Sequence, residues 1–231
     1  MLKAGFEIIP LDKVRQNSNI LVGSRYREPV TIVNKTYDFV RLGDVATFIR
    51  GVSFPKNAQK TSDKECLRVV TTKAAQVNGI DFDSVLYIDR SYLKQEKMLT
   101  TGDILISLAN SLGLVGRVTY VDDDYKDLTF GAFMGLIRVD HTKINSAYLF
   151  SILQSEEAKN YFKSVAKTTT NISNLTFEDL SELLIPLPNI ETQTKIVSEI
   201  DGYRQAIKDA NQIINNYNTK IRTRINEVWV E

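Results

Sequence analysis

The sequence has almost none of the residues from which disulfides, metal centres and histidine-based catalytic sites are built. Cys66 is the single cysteine among 231 residues, so a disulfide within the chain is excluded and a reducing compartment is expected. His141 is the single histidine, and its polar neighbours are typical of an exposed turn. With one residue of each type, we expect no bound metal and no Cys-His or Ser-His catalytic pair.

Long apolar runs and an excess of one charge are also missing. No stretch approaches the roughly 20 apolar residues that a membrane span requires, and the first residues lack a signal-peptide pattern. We therefore expect a cytoplasmic protein without a membrane partner. The 29 basic and 28 acidic residues leave a net charge of +1. Overall charge does not indicate a protein that coats DNA, so any DNA contact must come from local patches.

Three stretches with different patterns follow one another along the chain. Residues 1–38 mix short apolar runs with polar, basic sequence and are interpreted as an arm or linker. Residues 39–188 alternate β-rich runs and turn residues with helical or amphipathic segments, which predicts an α+β domain with a mixed, strongly curved sheet. The predicted strands are Val69–Thr72, Val85–Ile88, Asp103–Ser107, Leu114–Val121 and Gly135–Val139, and the helical or amphipathic segments are Leu42–Phe48, Ser146–Val165 and Thr176–Leu183.

Residues 189–231 follow a boundary with two prolines and show a different period. Apolar residues recur there at alternating spacings of four and three, as in the seam of a coiled coil. A helix from Glu191 to Val228 would be about 55 Å long, far longer than one small domain needs. We expect it to pack on a second helix in a dimer; the alternative is docking on its own domain. The seam consists of Ile196, Ile200, Tyr203, Ile207, Ala210, Ile214, Tyr217 and Ile221.

Four short motifs occur in order between residues 39 and 200. They are Val40–Ala46 with the glycine turn Arg50–Phe54, Gly102–Ser107 with Gly113–Gly116, Thr170–Leu175 with Ile185–Pro188, and Glu191–Val197 at the start of the predicted helix. Each motif is short, but their order and spacing are specific together. The chain thereby resembles the specificity subunits of type I restriction-modification enzymes and the related specificity regions of fused type II enzymes.

The resemblance implies a target-recognition domain in residues 39–188 and a spacer and dimerisation helix in residues 189–231. Such a domain reads one half of a bipartite site in double-stranded DNA and directs an adenine methyltransferase subunit to it, and a restriction translocase subunit is a further candidate partner. A full-length member of the family carries two recognition domains and two long helices, whereas this chain has one of each.

Two interpretations of this half-length pattern stay open. The chain is either a half-length subunit that pairs with a copy of itself or the C-terminal specificity segment of a single-chain fused restriction-methylation enzyme. Gly5–Ile8 and Ser24–Tyr26 are loosely similar to the tail that follows the catalytic domain in adenine-specific DNA methyltransferases, which favours the fused enzyme.

The chain lacks the residues that a catalytic component would need. An adenine methyltransferase holds the flipped base with Asp or Asn followed by Pro-Pro and an aromatic residue, and this motif is absent. Glycine-rich loops of the kind that cradle a cofactor are absent too, so no cofactor is expected. Acidic runs such as Asp122–Asp124 are interpreted as solvated turns. We therefore expect a non-catalytic specificity component.

Four polar loops supply the side chains that DNA recognition uses. Phosphate contacts fix the register on the duplex, and contacts with base edges supply discrimination. The predicted DNA-binding residues are Arg50, Ser53, Lys56 and Asn57 in the first loop, Thr72 and Lys73 in the second, Asn110 and Ser111 in the third, and Lys167, Thr169, Thr170 and Asn171 in the fourth. The alternative from another class is a coiled-coil scaffold whose domain binds protein, for which weak, salt-insensitive DNA binding would be the sign.

Overall fold

The computed structural model describes residues 36–61, 65–169 and 171–229, together with Asp12 and Arg15, so most of the predicted arm lies outside the described residues. The chain divides into two compact units, Met1–Leu187 and Pro188–Glu231. The strands of the first unit are β1 Phe39–Arg41, β2 Ala46–Arg50, β3 Gln59–Lys60, β4 Leu67–Val70, β5 Ala75–Gln76, β6 Gly79–Ile80, β7 Leu86–Ile88, β8 Ile104–Ser107, β9 Ala109–Asn110, β10 Val118–Tyr120, β11 Leu128–Phe130, β12 Met134–Val139, β13 Lys167–Thr168, β14 Ser173–Asn174 and β15 Leu184–Pro186.

Helices make up the rest of the regular structure, and the predicted α+β class with a long C-terminal helix is confirmed. The α-helices are α1 Ser146–Leu153, α2 Glu156–Val165, α3 Phe177–Ser181 and α4 Ile190–Trp229, and short 3-10 turns occur at Leu42–Asp44, Lys56–Ala58, Phe82–Ser84, Arg90–Tyr92 and Gln95–Lys97. In the part of the chain that the structure describes, no helix combines the length and the apolar character needed to cross a membrane.

The strands are divided among several sheets rather than one. A four-stranded antiparallel sheet has the order β10-β8-β12-β2, and a four-stranded mixed sheet has the order β11-β4-β7-β3 with β4 and β11 parallel. Smaller sheets pair β1 with β15, β5 with β6, and β9 with β14 and β13. One buried cluster joins Leu105 and Leu136 of the antiparallel sheet to Val70 and Phe130 of the mixed sheet. The main core is therefore shared by the two large sheets.

An ion pair between buried Asp103 and half-buried Arg138 fixes the start of β8. The Asp103 carboxylate is 2% exposed as a residue and accepts from Nε of Arg138 at 2.8 Å and from Nη2 at 2.6 Å. This hydrogen bonding raises the pKa of the Arg138 guanidinium. Gly102 precedes the pair with φ of +89°, a conformation that glycine adopts without a steric cost. The Gly-Asp pair of the motif is thus needed for the entry into the central strand.

The predicted helix Leu42–Phe48 is wrong. A 3-10 turn covers only Leu42–Asp44, and the chain then enters β2, which pairs antiparallel with β12 from Ala46 opposite Val139 onward. The apolar residues of this segment fit a helical period as well as a strand, and the pairing with β12 decides between them.

Two other predicted elements are shorter than expected. The segment Ser146–Val165 is divided into α1 and α2, because the Ser155 side chain accepts from the N–H of Ala158 and starts a new helix. The predicted strand Leu114–Val121 is extended only in β10, since Gly116 has φ of +79° within a turn.

The second unit consists mainly of α4, whose bounds are close to those predicted from the sequence. The Asn189 carboxamide accepts from the N–H of Thr192 at 2.9 Å and caps the helix, while Gln193 donates from Nε2 to the Pro188 carbonyl at 2.8 Å. This second bond gives the glutamine of the Glu191–Val197 motif a structural role. Ile196 and Ile200 are half-buried, whereas the later seam residues are more than half exposed, namely Tyr203, Ile207, Ile214, Tyr217 and Ile221.

Candidate nucleic-acid interface

The antiparallel sheet brings the first and third predicted loops to the same end of its strands. Strand β2 ends at Arg50, which is paired with Gly135, and β8 ends at Ser107, which is paired with Met134. Because β12 lies between β2 and β8 and begins at Met134, both loops leave the sheet beside the turn that enters β12.

The mixed sheet brings the second loop to the same turn. The parallel strands β4 and β11 end together, and the chain then passes through Gly131–Met134 into β12. The N–H of Gly131 donates to the carbonyl oxygen of Val70 at 2.9 Å. The second loop, Thr71–Lys73, follows Val70 directly and therefore lies next to this turn.

The first loop is held against the turn at close range. Nη1 of Arg50 donates to the Ala132 carbonyl at 3.5 Å, and the Arg50 guanidinium lies 5.3 Å from the centre of the Phe177 ring. A Cβ on Gly51 would lie 2.1 Å from the carbonyl oxygen of Gly131. Any side chain at position 51 would force the loop and the turn apart, so the glycine of this motif permits their approach.

The third and fourth loops are joined in the three-stranded sheet β13-β14-β9. Asn110 lies opposite Ser173, and Lys167 lies opposite Asn174. The hydroxyl oxygens of Thr168 and Ser173 are 2.9 Å apart and share a hydrogen bond. Two loops that are distant in sequence are therefore neighbours in the structure.

Arg117 connects the second and third loops. Its Nη2 donates to the Thr72 carbonyl and its Nη1 donates to Oε1 of Gln76 at 3.3 Å, while its own carbonyl accepts from the N–H of Ser107 at 2.9 Å. Its Nε is buried and has no hydrogen-bond partner among the residues that the structure describes, and burial lowers the pKa of the guanidinium. Among the described residues Arg117 forms no ion pair, so its positive charge is not neutralised within this part of the chain.

The predicted residues differ in their accessibility. Thr72 and Asn110 are half-buried, Thr170 lies outside the described residues, and the exposed ones are Arg50, Ser53, Lys56, Asn57, Lys73, Ser111, Lys167, Thr169 and Asn171. Lys56 and Asn57 belong to a 3-10 turn that leads into β3, at the edge of the mixed sheet opposite to β11. They are therefore placed away from the turn at which the other loops meet.

We call the surface where these loops meet the loop face and define it as residues 50–54, 71–73, 107–117, 131–134, 167–169 and 171–174. The loop face contains four cations and no Asp or Glu, the cations being Arg50, Lys73, Arg117 and Lys167. The chain as a whole carries 28 acidic residues and a net charge of +1. Charge is therefore segregated, and the loop face is positive on a nearly neutral protein.

Carboxylates lie at the opposite ends of the strands in the antiparallel sheet. The run Asp122–Asp124 follows the far end of β10, where Tyr120 is opposite Ile104, and Asp140 follows the far end of β12. Hydrogen bonds from Thr142 lower the pKa of the Asp140 carboxyl, so it is ionised at neutral pH. The two ends of the strands in this sheet thus differ in the sign of their charge.

Phe133 is a loop-face residue that sequence reasoning missed. It is 68% exposed, the largest exposed fraction among the large apolar side chains that the structure describes in the first unit. The signal available in the sequence was a single aromatic residue within a glycine-bounded turn, Gly131–Gly135, between two predicted β-rich runs. Arg117 was missed as well, because the absence of a carboxylate partner within the described part of the chain is a tertiary property.

Within residues 36–61, 65–169 and 171–229, no group of three His, Cys, Asp or Glu residues is arranged to hold a metal ion. His141 is exposed in a turn and Cys66 is buried.

The family model of the type I restriction modification DNA specificity domain matches residues 34–218. Because this match covers most of the sequence, the chain belongs to that family, and the resemblance of the four motifs is confirmed. A type I restriction enzyme specificity subunit of Methanocaldococcus jannaschii, named MjaX, is 30% identical over 165 residues, which are 68% of this chain and 38% of that protein.

Two solved structures share the fold. One is described as the structural basis of complex assembly and conformational transition of the type I R-M system, with a TM-score of 0.59 and 19% identity over 85% of this chain and 46% of that chain. The other is the HsdS subunit from Thermoanaerobacter tengcongensis, with a TM-score of 0.56 and 20% identity over 85% and 45%. This chain spans less than half the length of each of these three proteins.

Proposed function

We propose that this chain is a DNA-specificity component of a restriction-modification system and that its loop face binds double-stranded DNA. The observation that carries the proposal is the charge of that face, which has four cations and no carboxylate in a chain of net charge +1. A nearly neutral protein that binds a polyanion has to gather its cations and keep its carboxylates away. Ser, Thr and Asn side chains between these cations are suited to hydrogen bonds with base edges.

Residues 39–188 then form the recognition domain, and residues 189–231 form the spacer. The isoleucine and tyrosine residues of the α4 seam beyond Ile200 are 54% to 66% exposed, which is unfavourable for apolar side chains in water. We infer that α4 pairs with the same helix of a second copy, in antiparallel orientation. Two-fold symmetry then requires two inverted half-sites separated by bases that are not read.

The catalytic work belongs to partners in this proposal. The chain directs an adenine methyltransferase subunit to its target base, and a restriction translocase subunit joins the same complex. The family membership and the specificity-subunit relative support this role. Since the chain spans 38% of the MjaX subunit, a second copy or another specificity region has to supply the second half-site.

Methylome sequencing of the source cell with and without the gene tests the proposed function. We expect the deletion to remove one adenine-methylated motif made of two inverted half-sites. Unchanged methylation would contradict the proposal, whereas a lost motif with unrelated halves would favour a fused or two-chain specificity component. Re-expression of the chain is the matched control, because it has to restore the same motif.

A further inference from the structure

Phe133 lies on the turn beside which the first, second and third loops leave their strands, and this turn is held from several sides. The N–H of Met134 donates to the Gly131 carbonyl at 2.8 Å and closes the turn. The Phe133 carbonyl accepts from the N–H of Leu108 at 2.9 Å and from the N–H of Ala109 at 3.3 Å. The backbone that carries the exposed ring is therefore fixed before any ligand arrives, which reduces the entropy lost on binding.

The surroundings of Phe133 distinguish it from an ordinary exposed apolar residue. Single apolar side chains on a surface need no explanation by themselves. On the turn that carries Phe133, however, the Ala132 carbonyl accepts from Arg50, and Ala109, which contacts the Phe133 carbonyl, precedes Asn110 in β9. An aromatic ring therefore lies beside hydrogen-bond donors and positive charge, on a face that also exposes Leu114 and Ile172 less fully. A ligand that suits both has anionic groups next to apolar surface.

DNA has this combination, because phosphates flank bases that expose apolar atoms. We propose that Phe133 contacts the apolar surface of one base of the target, an inference that rests on the proposed function of the loop face. The base surface is either the 5-methyl group of a thymine in the major groove or the face of a base at a kinked step. The cations hold the backbone, and the ring supplies discrimination without a hydrogen bond.

The test uses the full chain and duplexes that carry the motif found by methylome sequencing. Phe133→Ala is compared with Leu184→Ala, which removes a similarly exposed apolar side chain, 57% exposed, outside the loop face. We expect Phe133→Ala to lose roughly 5- to 100-fold in affinity for the motif. Its salt dependence should stay that of the wild-type protein, because a phenyl ring neutralises no phosphate. Leu184→Ala should bind as the wild-type protein does.

Base analogues identify the surface that the ring contacts. Replacing one thymine by uracil removes the methyl group and should weaken wild-type binding about 3- to 5-fold at the contacted position, with no further loss in Phe133→Ala. For a kinked step, 2-aminopurine at that step should change its fluorescence with the wild-type protein and not with Phe133→Ala. Either result supports the contact.

Three outcomes overturn the inference, and they separate it from the proposed function. If Phe133→Ala binds the motif as tightly as the wild-type protein does, the base contact is refuted while the DNA-binding function stands. A loss of affinity with no coupling to any analogue refutes it in the same way. Failure of the wild-type protein to prefer the motif refutes both. Circular dichroism melting of Phe133→Ala shows that the variant is folded.

Discussion

Neutralising the two exposed lysines of the loop face should weaken DNA binding in a way that depends on salt. Lys73 follows β4, and Lys167 lies in β13 opposite Asn174, so the two cations are on different loops of the same surface. Each phosphate contact contributes about 0.9 to the slope of log affinity against log salt concentration. If each lysine contacts one phosphate, Lys73→Ala and Lys167→Ala should each lower the slope by about 0.9, and the double variant by about 1.8.

The magnitude can be measured by fluorescence anisotropy titrations between 50 and 200 mM salt. Over this fourfold range, the ratio of wild-type affinity to variant affinity should fall about 3.5-fold for one lost contact and about 12-fold for two. Lys126→Ala is the matched control, because Lys126 is exposed and precedes β11, at the end of that strand away from the loop face. Equal slopes for the wild-type protein, the double variant and the control would refute the placement of the DNA on the loop face.

Three further predictions follow from other parts of the structure. Replacing Ile207 and Ile214 with Asp should convert a dimer to monomers in light scattering, and a wild-type monomer at tens of micromolar would refute the helix pairing. Asp103→Ala should cost about 2–3 kcal/mol of unfolding free energy in urea, because it leaves Arg138 unpaired but 33% exposed to water; a loss below about 0.5 kcal/mol would show that the pair is dispensable. A heptad inserted before Tyr217 should lengthen the spacer by about 10 Å and widen the preferred gap by about three base pairs in a binding selection, so an unchanged gap would exclude a helical ruler.

The long helix and the central strands could be predicted because their signals are local. Spacings of four and three residues predicted a helix from Glu191 to Val228, one residue short of α4 at each end. The β-rich run Asp103–Ser107 predicted a strand, and every residue of the observed strand β8 is buried. Patterns of this kind need no knowledge of the rest of the fold.

The other features depend on pairings between distant segments. Leu42–Phe48 fits a helical period, and only the partner β12 makes its second half a strand. The juxtaposition of Asn110 and Ser173 also depends on a long-range register. Composition located the polar loops, but three features emerge only after folding. They are the acid-free character of the common surface, the exposed ring of Phe133, and the guanidinium of Arg117, which has no carboxylate partner among the described residues.

Photo-crosslinking tests the central claim, that the loop face is the surface in contact with the target DNA. Duplexes that carry the methylated motif, with 5-iodouracil replacing one thymine at a time, would be irradiated with the full chain and the crosslinked peptides identified by mass spectrometry. The account predicts crosslinks within residues 50–54, 71–73, 107–117, 131–134, 167–169 or 171–174, and unlabelled motif should reduce their yield. Specific crosslinks confined to the opposite ends of the strands, near Asp122–Asp124, or to α4 would contradict it.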